Sequence, residues 1–383
     1  MAKRYFPSEQ KLWTEKDISY LKKNYPSMLM DDLMKNLNRS LSSIEKKACR
    51  LRLKKDSNDN SSLQSIIDRE KKSSCKQSTE RFLKELVKEK ASTELVVEIL
   101  KEIIPAADFK PKQYNPVIDK NKKEEVAQLL LSDSHFGRYS AITLENKINE
   151  LYEGIIKVVE IHRTAYPINE LYINMLGDIL DGDEIYPGQT YDQKFHLMEQ
   201  MFTYGLPKLT NFFNQLSNHF TKITINCVPG NHGRKSKETD KRLNFDTIFY
   251  EALKLATVNN KKIVWNITWD WYQIIKIYKY NFLLTHGANI KTWLNIPVYG
   301  ILQKGMRWQG SLPERWDYLL MGHFHTTWNF AWNNFEVYMN GTWMDNDRFA
   351  LEQLGMDSVS KQYLLGVNEK RGITWSYKID LNS

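Results

Sequence analysis

The chain has 383 residues, 42% of them hydrophobic, which suffices for one large domain and one or two small ones. Its three cysteines, Cys49, Cys75 and Cys227, are scattered, which argues against a disulfide framework and against a cysteine-based zinc site. No apolar leader opens the chain and no uncharged stretch reaches the length of a membrane span, so a cytoplasmic protein with no membrane partner is expected.

The net charge of +8 is uneven. Residues 1–60 hold 14 Lys/Arg against 8 Asp/Glu, so +6 of the total lies in this head. A basic head on a near-neutral body points to an acidic polymer as partner. Within it, residues 11–53 read as three short helices. Thr14 caps the first, with Asp17 three residues on in a variant of the capping box, and Ile18, Leu21 and Tyr25 recur at helical spacing. Leu33 and Leu37 give the second an apolar face. Ser40 or Ser42 can cap the third, which turns Ile44, Ala48 and Leu51 inward and Lys46, Lys47 and Arg50 outward.

The Trp13-Thr-Glu-Lys-Asp17 opening and the Asn38-to-Ala48 run resemble a Myb/SANT-like helix-turn-helix. That resemblance covers about 45 residues and implies that the third helix enters the major groove of DNA, with Lys46, Lys47 and Arg50 bracing phosphates. The domain assigned here is 1–55. Residues 56–125 follow as a linker rich in Ser, Asn and Lys. It is interrupted by a helical pattern at about 79–104 that predicts either a homodimerisation helix or a brace on the next domain.

From residue 126 to the end, short apolar runs alternate with helical patterns. The runs are Val126–Leu131, Glu170–Met175, Lys222–Val228, Phe282–Thr285, Tyr318–Met321 and Phe335–Met339; the helices are 143–163, 192–216 and 243–257. This alternation predicts a layered α/β domain. Directly after five of the runs come Asp133-Ser-His135, Gly177-Asp178-Ile-Leu-Asp181, Gly230-Asn231-His232, His286 and Gly322-His323-Phe-His325. Imidazoles mixed with carboxylates suit Mn, Fe or Zn better than Ca or Mg, which prefer all-oxygen shells.

These five motifs, in this order, resemble those of calcineurin-like metallophosphoesterases, and the likeness spans residues 126–345. It implies a four-layer α/β/β/α sandwich carrying two divalent ions, with manganese expected and Fe or Zn as alternatives. It further implies that Asp133, His135 and His325 hold one ion, that Asn231, His286 and His323 hold the other, and that Asp178 bridges them. Such a pair brings the pKa of bound water toward neutrality and stabilises charge on a phosphoryl group. His232 then corresponds to the residue that protonates the leaving oxygen, with Asp181, or Asp183 nearby, to orient it. Two positions depart from the commoner pattern. Gly182 stands where protein phosphatases carry Arg, and Gly233 follows the third motif where Asp or Glu is usual. In the basic loop 233–242, Arg234 is the candidate phosphate grip. Among the many tryptophans, Trp293 and Trp308 are the candidates for stacking on bases.

Head and body together resemble bacteriophage or prophage phosphoesterases, which places the protein in a bacterial or phage-infected cell. The leading expectation is a metal-dependent DNA nuclease. The alternatives are a phosphomonoesterase localised on DNA and a catalytically silent DNA-binding regulator.

Overall fold

The computed structural model describes residues 13–26, 28, 30–51, 53, 93–119, 124–182, 185, 193–234, 244–294, 296–345 and 359–382. The chain divides into two compact units, Met1–Ala91 and Ser92–Ser383. Among the described residues no helix is long and apolar enough to cross a membrane.

In the first unit, α1 (Glu15–Asn24), α2 (Met30–Leu37) and α3 (Leu41–Arg50) close around Leu21, Leu33, Leu37 and Ile44. The start of α1 is set by a reciprocal pair. Asp17 N–H donates to Thr14 Oγ1 at 3.1 Å, and Thr14 N–H donates to Asp17 Oδ2 at 3.3 Å. Asp17 also receives Arg39 at 2.9 Å, and the Arg39 guanidinium lies 4.2 Å from the centre of the Trp13 ring. Lys46 and Arg50 are exposed, whereas Lys47 is half-buried with its ammonium 5.7 Å from the same ring.

The second unit is built on two sheets. The first has the order β11-β10-β1-β2-β3-β4, from β1 (Glu125–Leu131), β2 (Ile168–Met175), β3 (Lys222–Cys227), β4 (Ile263–Ile267), β10 (Lys361–Asn368) and β11 (Gly372–Asp380). The second has the order β5-β6-β7-β9-β8, from β5 (Tyr272–Ile277), β6 (Tyr280–Thr285), β7 (Tyr318–Met321), β8 (Trp328–Trp332) and β9 (Phe335–Met339). Val126, Leu130, Val228, Leu365 and Val367 of one sheet meet Ile275, Phe282, Leu284 and Leu320 of the other in a single buried cluster. That is sheet-on-sheet packing, and burial of these side chains drives it.

Helices cover both outer faces. On the first sheet lie α5 (Ala141–Arg163), α6 (Leu206–Leu216) and α7 (Phe245–Ala256). On the second lies α8 (Val298–Ser311), whose Ile301 and Trp308 pack on Leu319, Met321 and Val337. The result is a four-layer α/β/β/α sandwich. The α4 helix (Thr93–Ile103) buries Val96, Ile99 and Leu100 and packs on α7. The chain after it is tied down by Ala107 N–H to the Ala256 carbonyl at 2.7 Å and Val117 N–H to Asn169 Oδ1 at 2.9 Å. The segment read as linker is therefore, from Thr93 to Asp119, part of the second unit. The described part of its predicted helix has the brace arrangement; residues 79–92 lie outside the described residues.

Strand pairing decides where the motifs go. β1, β2, β3 and β4 are parallel, and Leu131 pairs with Met175, which pairs with Cys227. The first three motifs thus leave one edge side by side. In the second sheet β6, β7 and β9 are parallel, with Thr285 opposite Met321 and Met321 opposite Met339. His286 and the His323–His325 motif therefore leave from matched positions as well.

Candidate metal centre

Asp133 Oδ1 lies 3.4 Å from His325 Nε2, which lies 3.3 Å from His135 Nε2. His286 Nε2 lies 2.9 Å from both Asp178 Oδ2 and Asn231 Oδ1. Three sets of side chains have donor atoms close enough to share an ion: Asp133 with His135 and His325, Asp178 with His286 and His323, and His135 with Asp178 and His232. Asp178 belongs to two of these sets, and His135 joins one of them to the Asp133–His325 set.

The protonation states suit cation binding. His286 Nδ1 lies 2.8 Å from the Leu176 carbonyl, so Nδ1 carries the hydrogen and Nε2 faces two oxygens with its lone pair. Those oxygens need a positive charge between them, either a second proton on His286 or a metal ion. Burial opposes that charge, but Asp178 beside the ring outweighs it and raises His286 to about 9. Burial and the neighbouring His286 push His323 down to about 3, which keeps it neutral. Burial likewise lowers His135. For Asp178, burial works upward, yet His286 and His232 hold the carboxyl well below the usual carboxylate range. Ionised aspartates and neutral imidazoles are the forms that ligate a metal, so His323 and His135 are ready as they stand, while His286 has to give up its proton to an arriving ion.

Five of the seven predicted ligands sit in the left-handed region of backbone space: Asp133 at φ 51°, His135 at 43°, Asp178 at 53°, His323 at 75° and His325 at 55°. Non-glycine residues rarely adopt it, and each such residue costs on the order of 1–3 kcal/mol. Packing and hydrogen bonds hold the strain in place. Asp133 N–H donates to the Gly177 carbonyl, while Trp343 N–H and Thr342 Oγ1 both donate to the Asp133 carbonyl.

His232 has a second kind of placement. Its Nδ1 is 2.7 Å from Asp181 Oδ1 and its main-chain N–H donates to Asp178 Oδ1 at 2.7 Å. Burial alone would lower His232, but Asp178 and Asp181 together raise it. Asp181 is fully buried and also receives the Arg138 guanidinium. Its burial would raise its pKa, yet hydrogen bonds to His135 and His232 hold it far below the usual range. Asp183 lies outside the described residues. Arg234 is half-buried and its main chain bridges to Asn244; the rest of its loop, 235–243, lies outside the described residues.

No family model and no curated protein matches the chain. Solved structures do resemble it. An archaeal phosphodiesterase is 12% identical and aligns over 66% of this chain and 99% of its own, with a TM-score of 0.32. Vps29 complexed with zinc, from Entamoeba histolytica, is 13% identical over 67% of this chain and 99% of its own, at 0.30. A predicted phosphoesterase from Streptococcus pneumoniae is 12% identical over 67% and 98%, at 0.29. At such scores the fold and the site stand on this chain's own strands and side chains.

Sequence reasoning missed several residues that shape the centre. Asp246, at the start of α7, is fully buried and accepts three main-chain hydrogen bonds: from Asp178 at 2.9 Å, Gly230 at 3.0 Å and Leu180 at 3.2 Å. One carboxylate thereby joins the second and third motif loops. Burial and nearby Asp178 raise Asp246 to about 6. Asn244 caps α7 and donates to the Gly230 carbonyl at 2.7 Å. Gln200 lies in a stretch of wide helical turns, Glu199–Gly205, and grips the Asp181 main chain from both sides at 2.8 Å. Such wide turns recur at functional sites. The Asn244-Phe-Asp246 sequence does signal a helix start. Nothing local shows that its carboxylate turns toward the motifs.

The two unusual glycines have a steric reason. A Cβ on Gly182 would lie 2.3 Å from the His232 carbonyl oxygen, and one on Gly233 would lie 2.3 Å from Asn244 Oδ1. The α7 cap fills the space that a side chain at 233 would need. The tryptophan expectation needs one correction. Trp308 is buried at 7% exposure against Trp271, because α8 presents that face to the sheet, so it stacks on no base. Trp293 is 67% exposed.

Proposed function

We propose that the chain is a dinuclear-metal-dependent phosphoesterase and, more narrowly, a DNA phosphodiesterase brought to its substrate by the N-terminal helices. The observation that carries this reading is a continuous chain of donor sets: Asp178 groups with His286 and His323 on one side and with His135 on the other, and His135 groups in turn with Asp133 and His325. Asp133, His135 and His325 would hold one ion; Asn231, His286 and His323 would hold the other; Asp178 would touch both. Manganese is the ion we assign first, with iron or zinc as alternatives for the same donors. When bound, two such ions supply a nucleophile from water at neutral pH and countercharge for the phosphoryl oxygens.

The chain's own residues do the rest. Asp181 stays ionised and fixes the His232 ring through Nδ1, so that Nε2 carries the proton a departing alkoxide needs. Arg138 adds a positive charge beside that pair and limits how far Asp181 can raise His232. Arg234 is proposed to grip a phosphate at the mouth of the site. Lys46 and Arg50, exposed on α3, supply sequence-independent attraction to the DNA backbone, with Lys47 a lesser contributor because it leans on Trp13.

The test is manganese-dependent hydrolysis of end-labelled single- and double-stranded DNA beside nitrophenyl phosphate monoester and diester. Shortened DNA products that vanish in Asp178→Ala support the reading. Monoester turnover with intact DNA would replace it by a phosphatase, and a purified protein that refuses manganese would replace it by a DNA-binding regulator.

A further inference from the structure

Between Asp270 and Glu314 the chain has no acidic residue and five basic ones, Lys276, Lys279, Lys291, Lys304 and Arg307. His286 lies within this span, and the segment after it projects large rings into solvent. Trp293 is 67% and Tyr299 62% exposed, and Lys291 and Arg307 are exposed in the same segment. Their exposure is imposed by the backbone. Trp293 and Ile296 exchange main-chain hydrogen bonds at 3.1 and 2.8 Å, with Leu294 at φ 50°, which closes a tight hairpin. Ile290 is buried in the outer core at its base. The α8 helix starts hard against it, since a Cβ on Gly300 would lie 1.9 Å from the Lys291 carbonyl oxygen. The rings are therefore presented on a rigid support.

A second pair stands on the other chain exit from the metal centre. Three residues after His325, the edge strand β8 carries Trp328 at 41% and Trp332 at 48% exposure. Phe330 between them meets Trp328 edge-on at 5.7 Å and packs on the same outer cluster as Ile290, so both aromatic groups belong to one layer. The rings after His286 stand in an acid-free segment with Lys291, Lys304 and Arg307, whereas the β8 pair has no cation of its own and Glu336 opposite Ala331, so the cationic share of the surface comes from the first group. Rings with cations suit an anionic chain that carries flat apolar faces. Unpaired nucleic acid has that chemistry, whereas a duplex hides its base faces in the stack. A lipid surface would also take the exposed Leu294, Ile296 and Met306 of the first group, but on β8 the residues between the rings are Asn329 and Ala331, so what the two groups have in common is the rings.

We infer that Trp293 and Tyr299, with Trp328 and Trp332, form a stacking platform for single-stranded nucleic acid on the outer layer of the second sheet, carried by the segments that follow His286 and His325. This rests on the phosphodiesterase reading for its purpose and narrows the substrate to unpaired strands.

The experiment is fluorescence anisotropy of a short labelled single strand titrated with the full chain in manganese, at a duplex-competitor level that saturates the N-terminal helices. Trp293→Ala and Trp328→Ala are each expected to weaken binding about fivefold or more, while Trp293→Phe, which keeps a ring, retains most of it. Melting curves establish that the variants fold. Equal affinity of the alanine variants and the parent overturns the platform. So does vesicle binding that Trp293→Ala abolishes while strand binding persists, which would assign the rings to an anionic lipid surface. A dimer in sedimentation that Trp293→Ala converts to monomer without loss of strand binding would assign them to a second copy and equally overturn it. Strand binding through the rings with no cleavage of any DNA leaves the platform standing and removes the nuclease reading instead.

Discussion

The two ends of the metal centre are built differently. At the Asp178–His286 end those two side chains are 1% and 3% exposed and held by main-chain bonds, with His323 half-buried beside them; Asp133 and His135 at the other end are buried as deeply. Asp246 ties Asp178 to Gly230, and Leu176 orients His286. At the other end His325 and His232 retain 24% and 19% side-chain exposure, and Arg138 reaches in from a partly open position. The buried end has the features of an ion-holding foundation. On the function proposed above, the open end is where a substrate would arrive and where His232 would give its proton. Precision and access thus come from different residues: the α7 cap holds the loops after β2 and β3, while the partly exposed His325 and His232 follow β7 and β3.

Variants can break this contrast. The largest effect is expected for Asp178→Ala, which removes the residue common to both ends. Metal content and hydrolysis should fall to background together, and turnover at reduced metal content would show the bridge assignment wrong. Next comes His232→Ala at the open end. Bound metal should be retained, while cleavage of an unactivated diester slows about 10²–10⁴-fold. A nitrophenyl ester, whose leaving group needs little protonation, should lose much less; equal losses on both substrates would rule out the acid role.

Asp246→Ala tests the foundation directly. Three buried N–H groups lose their acceptor, each at about 1–3 kcal/mol, so a clear drop in melting temperature is expected. A weakening of metal affinity by roughly 10–100-fold should accompany it, as for other groups that orient ligands. Asp246→Asn keeps one acceptor oxygen and should fall between; a melting drop with undiminished metal affinity would limit Asp246 to folding.

The pH dependence of the metal-free protein separates the ends further. His286 is raised from 6.5 to about 9, so its stabilising protonation is complete below pH 6.5 and is lost as pH rises through about 9. Melting temperature without metal should therefore fall across that window. Manganese takes the place of the proton, and in its presence the fall should flatten; an unchanged slope would show that His286 is no ligand.

The smallest effect concerns the N-terminal unit. Lys46→Ala with Arg50→Ala should weaken duplex binding and reduce the salt dependence of log K by about 0.9 for each phosphate no longer neutralised, whereas Lys47→Ala should matter less. Identical salt slopes would remove α3 from the DNA interface.

Some elements were legible because their signal is local. The Thr14–Asp17 cap, the inward Leu21, Ile44 and Ala48, and the three parallel strands ending at Leu131, Met175 and Cys227 all follow from spacing within a few residues. Others were passed over. β4 and β8 are short and half-exposed, so their alternation is weak, and α8 hides among aromatic residues whose inward and outward members look alike. Trp308 and Trp293 illustrate this: the same residue type, one in the core and one in solvent, sorted only by the sheet beneath α8.

By itself the sequence determined which chemical groups this protein can offer and at which strand ends they stand, since motif composition and strand periodicity are local properties. Only the tertiary structure decided their working arrangement: the left-handed backbone at five ligands, the turn of Asp246 toward two motif loops, and the sharing of Asp181 between His232 and Arg138. Each of these depends on contacts between residues distant along the chain. Their energies come from burial and from hydrogen bonds that exist only once both sheets are packed.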